Sequence, residues 1–329
     1  MKKKGLIGVC LVLVLALALP LASGCASQPT ESKVYKIGIA QIATHPALDA
    51  AREGFIQAMA DEGFVEGVNV EYDVGNANGD MSVAATIAQK FASEKVDLIL
   101  AIATPMAQAC AAATKDIPIV FNCVTDPVAG GVVDSWEKPG GNVGGVSEWA
   151  DVETQIELIL EICPDVKKLG TVYNAGEPNS LVQIKELKKC APGLGIGDIL
   201  ECNVSTSADV MTAAYALEGV DAIWIPTDNT VASAYDAVVK VCEEKRIPLF
   251  GADVAIVEKG AIGTPGISYR YHGEQSGKFA ARVLRGENPA NMPVEKCEMT
   301  DLYINPAAAE RLGITIPQSV IDRATQIIE

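Results

Sequence analysis

From Lys36 onward, short apolar runs rich in β-branched residues alternate with alanine-rich amphipathic stretches. The runs predict strands over Lys36–Ile42, Val68–Val74, Val96–Ala101 and Ile117–Cys123, then Lys168–Tyr173, Ile199–Val204, Val220–Ile225 and Ile247–Gly251. Between the first two, Leu48, Ala51, Phe55, Ile56 and Met59 recur at helical spacing within His45–Glu62. Strand, helix, strand in this rhythm means βαβ units and an α/β fold with parallel sheets. Most of the strands are continuously apolar, as expected of parallel sheets flanked by helices on both faces.

The pattern is written twice. Val96-Asp97-Leu98-Ile99 leads through Thr104 and a helix to Ile117-Pro118-Ile119-Val120; Val220-Asp221-Ala222-Ile223 leads through Thr227 and a longer helix to Ile247-Pro248-Leu249-Phe250. Ile37-Gly38-Ile39 and Leu169-Gly170-Thr171 open the two halves alike. Two matching α/β lobes joined near residues 147–150 follow from this repeat.

Ligands of such sheets gather beyond the carboxyl ends of the strands, beside helix N-termini. The loops predicted there are Gln41-Ile42-Ala43-Thr44-His45-Pro46, Ala103-Thr104-Pro105, Thr125-Asp126-Pro127, Asn174 through Ser180, Thr227-Asp228-Asn229 and Gly251-Ala252-Asp253. Taken singly, each reads first as a helix cap, since Ser, Thr, Asp and Asn are preferred N-caps and Pro suits the first helical position. Taken together, they put hydroxyls, amides and carboxylates along one predicted edge. A helix start also offers free N–H groups to an anion.

The N-terminus changes the picture of where the chain works. Three lysines within Met1–Lys4 precede an apolar run to Leu19, and Leu21-Ala22-Ser23-Gly24-Cys25 ends in a small residue before cysteine. That is the layout of a secretory signal over residues 1–24. Cys25 fits a bacterial lipobox, in which the thiol is lipidated and becomes the new N-terminus, with residues 25–35 as a tether. The competing reading is an uncleaved membrane anchor, against which Pro20 and the following Ser and Gly interrupt the run. Either way the rest of the chain lies outside the cytoplasmic membrane. The formal net charge of −16 disfavours nucleic acid and anionic lipid as partners. Beyond Cys10 and Cys25, seven cysteines remain, an odd number with no C-x-x-C pair, read mainly as small core residues.

The catalytic inventory is poor. His45 and His272 stand in unrelated settings, and neither G-x-S-x-G nor H-E-x-x-H occurs. The glycine clusters at 140–145 and 193–197 fit neither a Walker A loop nor a dinucleotide fingerprint, and the first reads as a flexible connection near a hinge. No enzyme activity, cofactor or metal is expected.

Ile39-Ala40-Gln41-Ile42 followed by His45 through Phe55 resembles the signature of ABC-transporter substrate-binding lipoproteins of the tryptophan- and phenylalanine-binding type. Ala88-Gln89-Lys90-Phe91, Ile117 through Phe121, Thr125-Asp126-Pro127-Val128, Lys138 through Val143, Glu177-Pro178-Asn179-Ser180 and Thr227-Asp228-Asn229 extend the resemblance over the mature chain. It implies two Rossmann-like lobes of the type I periplasmic-binding fold with a multi-crossing hinge. Lobe one is expected over 36–147 plus 271–300, lobe two over 148–270 plus 301–329.

Amino-acid-binding relatives imply a zwitterion in the cleft. Thr104, Thr125, Asn179 and Ser180, with Pro105 opening a helix, suit its carboxylate; Asp126, Asp228 and Asp253 suit its ammonium, Asp228 first. Gln41, Thr44, Asn174, Glu177 and Asn229 complete a polar shell. Among the aromatic residues near strand ends, Trp149 is the expected ligand wall, the others being packing. The expected function is capture of a small ligand, an aromatic or other hydrophobic amino acid such as tryptophan or phenylalanine. A membrane-anchored monomer then delivers it to an ABC permease. The alternatives are a sensor of the same fold serving a signalling receptor, or a binder of another small solute such as a nucleoside or sugar.

Overall fold

The computed structural model describes residues 33–298 and 300–328; the expected leader at 1–24, the expected lipidation site Cys25 and most of the expected tether lie outside them. The eight expected runs form strands displaced by at most two residues. They are β1 Tyr35–Gln41, β2 Val70–Asn76, β3 Leu98–Ile102 and β4 Ile119–Val124, then β6 Lys168–Tyr173, β7 Asp198–Asn203, β8 Ala222–Ile225 and β9 Leu249–Gly251. Five further strands were not expected: β5 Val143–Ser147, β10 Gly263–Ile267, β11 Glu295–Lys296, β12 Thr300–Ile304 and β13 Gln326–Ile327.

The helices are α1 Pro46–Asp61, α2 Met81–Glu94, α3 Thr104–Ala113, α4 Val152–Ile162, α5 Pro178–Cys190, α6 Val210–Ala216, α7 Asn229–Ala232, α8 Tyr235–Lys245, α9 Val254–Lys259, α10 Tyr269–Leu284, α11 Pro306–Leu312 and α12 Gln318–Arg323.

One sheet has the order β11-β5-β4-β3-β1-β2 and a second β7-β6-β8-β9, all pairs parallel. A third, β10-β12-β13, joins an antiparallel to a parallel pair. The central strands β3 and β4 are buried along their whole length, which is why they read as unbroken apolar runs. Chain order 1, 3, 4 to one side of β1 and 2 to the other makes β1 the topological switch point, where such sheets open a crevice. In the second sheet β6 plays the same part, with β7 and β8 on its two sides.

The glycine-rich segment after Lys138 is not a flexible connection. Val143–Ser147 is a fully buried strand, and a Cβ at Gly145 would sit 2.2 Å from the Phe121 carbonyl oxygen. Glycine is there to let two strands approach closely beside the register shift between Phe121 and Val124. After β5 the chain leaves the first sheet through Glu148–Asp151 for α4, returns through Ser268 into α10, and leaves again after Cys297. α10 packs against α1 through glycines: a Cβ at Gly54 would lie 2.1 Å from the Arg270 carbonyl oxygen, and one at Gly273 2.0 Å from that of Ala51.

Cys110, Cys123, Cys163, Cys190, Cys202 and Cys242 are free thiols. Burial pushes Cys110 and Cys242 up to about 12 and Cys163 to about 11, so they pack as neutral, unreactive side chains.

Candidate functional site

The loops beyond β1, β2 and β3 face those beyond β6, β7 and β8 across a cavity of about 640 Å³. One wall carries Ile42, Ala43, Thr44, Asn78 through Met81 and Pro105; the other carries Asn174, Gly176, Glu177, Ser205 through Ser207, Asn229, Thr230 and Ser233. Behind it lies a much smaller chamber lined by His45, Leu48, Cys123, Glu148, Thr227, Asp228, Asn229, Ala232, Asp253 and Tyr269. Asn229 belongs to both.

The inner chamber concentrates acid. Glu148, Asp228 and Asp253 are 5, 1 and 2 % exposed, and no lysine or arginine lines the space. Burial, which disfavours the charged form, raises all three. Glu148 reaches about 7 against its hydrogen bond from Thr125 Oγ1 (2.9 Å) and a further one from Tyr269. Asp228 is raised by burial and by the neighbouring Glu177, and Asp253 by burial, offset in part by His45. Tyr269 is itself buried and held well above the ordinary phenol range, so it remains a donor.

These carboxylates differ in what remains free. Asp228 accepts from the Asn174 N–H (2.7 Å), Ser180 Oγ (2.7 Å) and, as N-cap of α7, the Val231 N–H (2.8 Å). Glu177 takes Asn179 Nδ2, both nitrogens of Asn229, and the N–H and hydroxyl of Thr230. Both are engaged in tying the loops after β6 and β8 together. Asp253 holds one cap bond, to the Ala255 N–H, and a long 3.3 Å contact from the Tyr235 hydroxyl. Glu148 and Asp253 therefore keep the most unused acceptor capacity.

A chain of hydrogen bonds also sets the state of His45. Asn229 Nδ2 must face the Glu177 carboxylate (2.6 Å), because only the amide NH₂ donates. That turns Asn229 Oδ1 toward His45 Nε2 (3.4 Å), which must then carry a proton. In the neutral ring Nδ1 is left as an acceptor; it is buried without a partner, in a side chain 7 % exposed. The His45–Asn229 contact joins the two facing loop sets and stands between the chambers.

Two strained residues mark the first sheet's edge. Ala103, after β3, has φ 83° and ψ 155°, a region populated almost only by glycine, and Cys123 at the end of β4 has φ 52°. Such strain costs on the order of 1–3 kcal/mol per residue and persists where the surroundings impose it. At Ala103 it aims the start of α3 at the cleft. No side chain caps that helix, Pro105 has no N–H, and Ala107 donates to the Ala103 carbonyl (3.0 Å). The N–H groups of Thr104 and Met106 have no helical partner, and Thr104 Oγ1 and both polar atoms of the Asn122 side chain are buried without one.

Of the residues singled out in the sequence, Thr44, Pro105, Asn174, Glu177 and Asn229 line the outer cavity, and Asp228, Asn229 and Asp253 the inner one, while Thr104 is buried at the start of α3 and lines neither. Thr125, Asn179 and Ser180 stand behind the walls, bonded to Glu148, to Glu177 and the Thr227 carbonyl, and to Asp228. Gln41 binds Arg52, Asp49 and the Ala43 carbonyl. Asp126 caps Val128 and Ala129, and half-buried Trp149 is on neither wall. Sequence reasoning passed over Glu148, Cys123 and Tyr269 as chamber residues. An acid directly after an apolar strand at the expected crossover was the available signal for Glu148. The described residues hold no group of three or more His, Cys, Asp or Glu arranged for a metal ion.

The architecture is the type I periplasmic-binding fold, shared with solute-binding proteins far more distant in sequence. The tyrosine-binding protein of Clostridioides difficile is 42% identical over 281 residues, 85% of this chain and 81% of that protein. A crystal structure of an ABC domain in complex with L-Trp from Streptococcus pneumonia, 36% identical, superposes with a TM-score of 0.87 over 90% of this chain and all of the other. The ligand-free, open structure of a substrate binding protein with adhesive properties from Clostridium difficile is 42% identical. It gives only 0.69, over 90% of this chain and 99% of the other. Residues 36–328 match the model of the ABC transporter substrate binding protein family, a family of binding proteins rather than enzymes, and the chain belongs to it.

Proposed function

We propose that this protein captures an aromatic amino acid between its two halves, outside the cytoplasmic membrane, and delivers it to an ABC permease. The lobes are 36–147 plus 271–300 and 148–270 plus 301–329, and Cys25 carries the lipid that holds the mature chain at the membrane. The observation carrying this reading is the pairing of opposite receptors in one cleft. Glu148 and Asp253 offer a buried cation site, and the uncapped start of α3, with Thr104, offers N–H and O–H donors to an anion. A zwitterion needs both. The side chain then extends into the outer cavity, between Ile42, Met81 and Pro105 on one wall and hydroxyl and amide groups on the other.

The tyrosine- and tryptophan-binding relatives support an aromatic side chain. The better superposition on the L-Trp complex than on the more nearly identical open form supports a closed arrangement here. Closure buries the ligand, and the ligand favours the closed form only as far as it binds that form better. Titration calorimetry on the twenty amino acids should find tyrosine, tryptophan or phenylalanine tightest. Saturable binding of a sugar or nucleoside, with no amino acid bound, would refute the proposal.

A further inference from the structure

The two receptors of the cleft are unequal, and the inequality predicts a ligand class. The inner chamber presents acceptors from three directions: Glu148 on the crossover after β5, Asp253 at the start of α9, and Nδ1 of His45 before α1. The first two are carboxylates; the third is a lone pair whose orientation is dictated by the Glu177–Asn229–His45 chain. A primary ammonium has three N–H donors to offer. The anion receptor is neutral throughout: two N–H groups at the start of α3 and the Thr104 hydroxyl. Arg52, on α1, is engaged by Asp49 and Gln41. A zwitterion adds no net charge to an acidic chamber; a monocation offsets one of its negative charges.

We infer that recognition rests on the ammonium, and that aromatic amines lacking the carboxylate, such as tyramine and tryptamine, are ligands of this same cleft. The inference rests on the reading of the cleft as an aromatic amino-acid site, and goes beyond it by making half of the zwitterion dispensable. The loss of the carboxylate removes hydrogen bonds to neutral donors that water reaches when the lobes open. Loss of the ammonium leaves buried carboxylates without a counter-charge, which is the costlier deletion.

The test is calorimetry on the full-length protein in detergent with six compounds. These are tyrosine, tryptophan, tyramine, tryptamine, and the des-amino acids 3-(4-hydroxyphenyl)propionate and 3-indolepropionate. The amines should bind within about tenfold of their parent amino acids, and the des-amino acids about 100-fold more weakly or worse. Glu148→Gln, which keeps shape and the acceptor for Thr125, should weaken the amines by about tenfold or more while leaving the thermal melt intact. An amine about 100-fold weaker than its amino acid, a des-amino acid matching the amine, or unchanged amine affinity in Glu148→Gln would overturn the inference. If the amines bind and the amino acids do not, the amino-acid reading falls while this one stands. If none of the six binds, both fall.

Discussion

Glu148 should make opening of the lobes depend on pH. In the closed form its carboxyl is raised from 4.5 to about 7, chiefly by burial. Opening admits water to the chamber and returns the group toward its ordinary value. The closed form then binds the proton more tightly, so closure without ligand is favoured as pH falls through about 7, with the gain complete below 4.5. At about 1.4 kcal/mol per pH unit, the span between these values amounts to roughly 3 kcal/mol for this one group. Asp253 and Asp228, raised by the same burial, push in the same direction. Tyr269 stays protonated and does not contribute.

Small-angle scattering of the ligand-free protein at about pH 8.5 and about pH 5.5 reads this directly, the acid sample being the more compact. Glu148→Gln should change less between the two, because its amide carries no charge to bury and only Asp253 and Asp228 still respond. Ligand binding gives a second measure. An ammonium entering a protonated chamber releases protons, so the heat of binding near pH 6 should vary with the buffer's ionisation enthalpy and cease to do so above about pH 8.5. Scattering curves from wild type and Glu148→Gln that respond identically to pH, with no buffer dependence at pH 6, would refute the linkage.

Asp228→Ala strips the acceptor from Asn174, Ser180 and Val231 and should lower stability in urea melts by roughly 2–3 kcal/mol, Asp228→Asn by less. Weakened ligand binding at unchanged stability would instead make Asp228 a ligand contact. Gly273→Ala would gain about 1 kcal/mol from helix propensity in an open helix. Here the new Cβ lies 2.0 Å from the Ala51 carbonyl oxygen, so a net loss of roughly 2 kcal/mol is expected, and a raised melting temperature would show that α1 and α10 do not pack this closely. Cys25→Ser should move the protein from the membrane to the soluble fraction, whereas continued retention would favour an uncleaved anchor.

The strands most legible in the sequence were those whose side chains are buried on both faces, because continuous burial imposes a continuous apolar run. β3 and β4 are of this kind. β5 is buried as completely, but Gly144 and Gly145 hide it: Phe279 and Pro289 crowd the first and β4 the second, and the missing side chains would have announced a strand. β11 and β13 are two residues long and carry no pattern at all. The loops that face the cleft were readable for a related reason. Parallel strands must deliver their carboxyl ends to one edge, and helix starts there need polar caps, so position and composition agree.

What composition does not reveal is which of those polar groups is left over after the protein has satisfied itself. Asp228 and Glu177 look like ligand residues from the sequence, yet their oxygens serve α7 and the loop after β6. Glu148 stands in no cap motif, and its environment is assembled from Thr125, Tyr269 and Asp253, residues far apart in the chain. Only the fold brings the account of donors and acceptors to completion. Two of the buried atoms left unpartnered, Nδ1 of His45 and Oγ1 of Thr104, stand beside the acids and at an uncapped helix start respectively. A protein with nothing to bind has no reason to hold Ala103 in a glycine conformation beside an orphaned hydroxyl. The same strain becomes intelligible if that helix start completes its hydrogen bonds only when a ligand arrives.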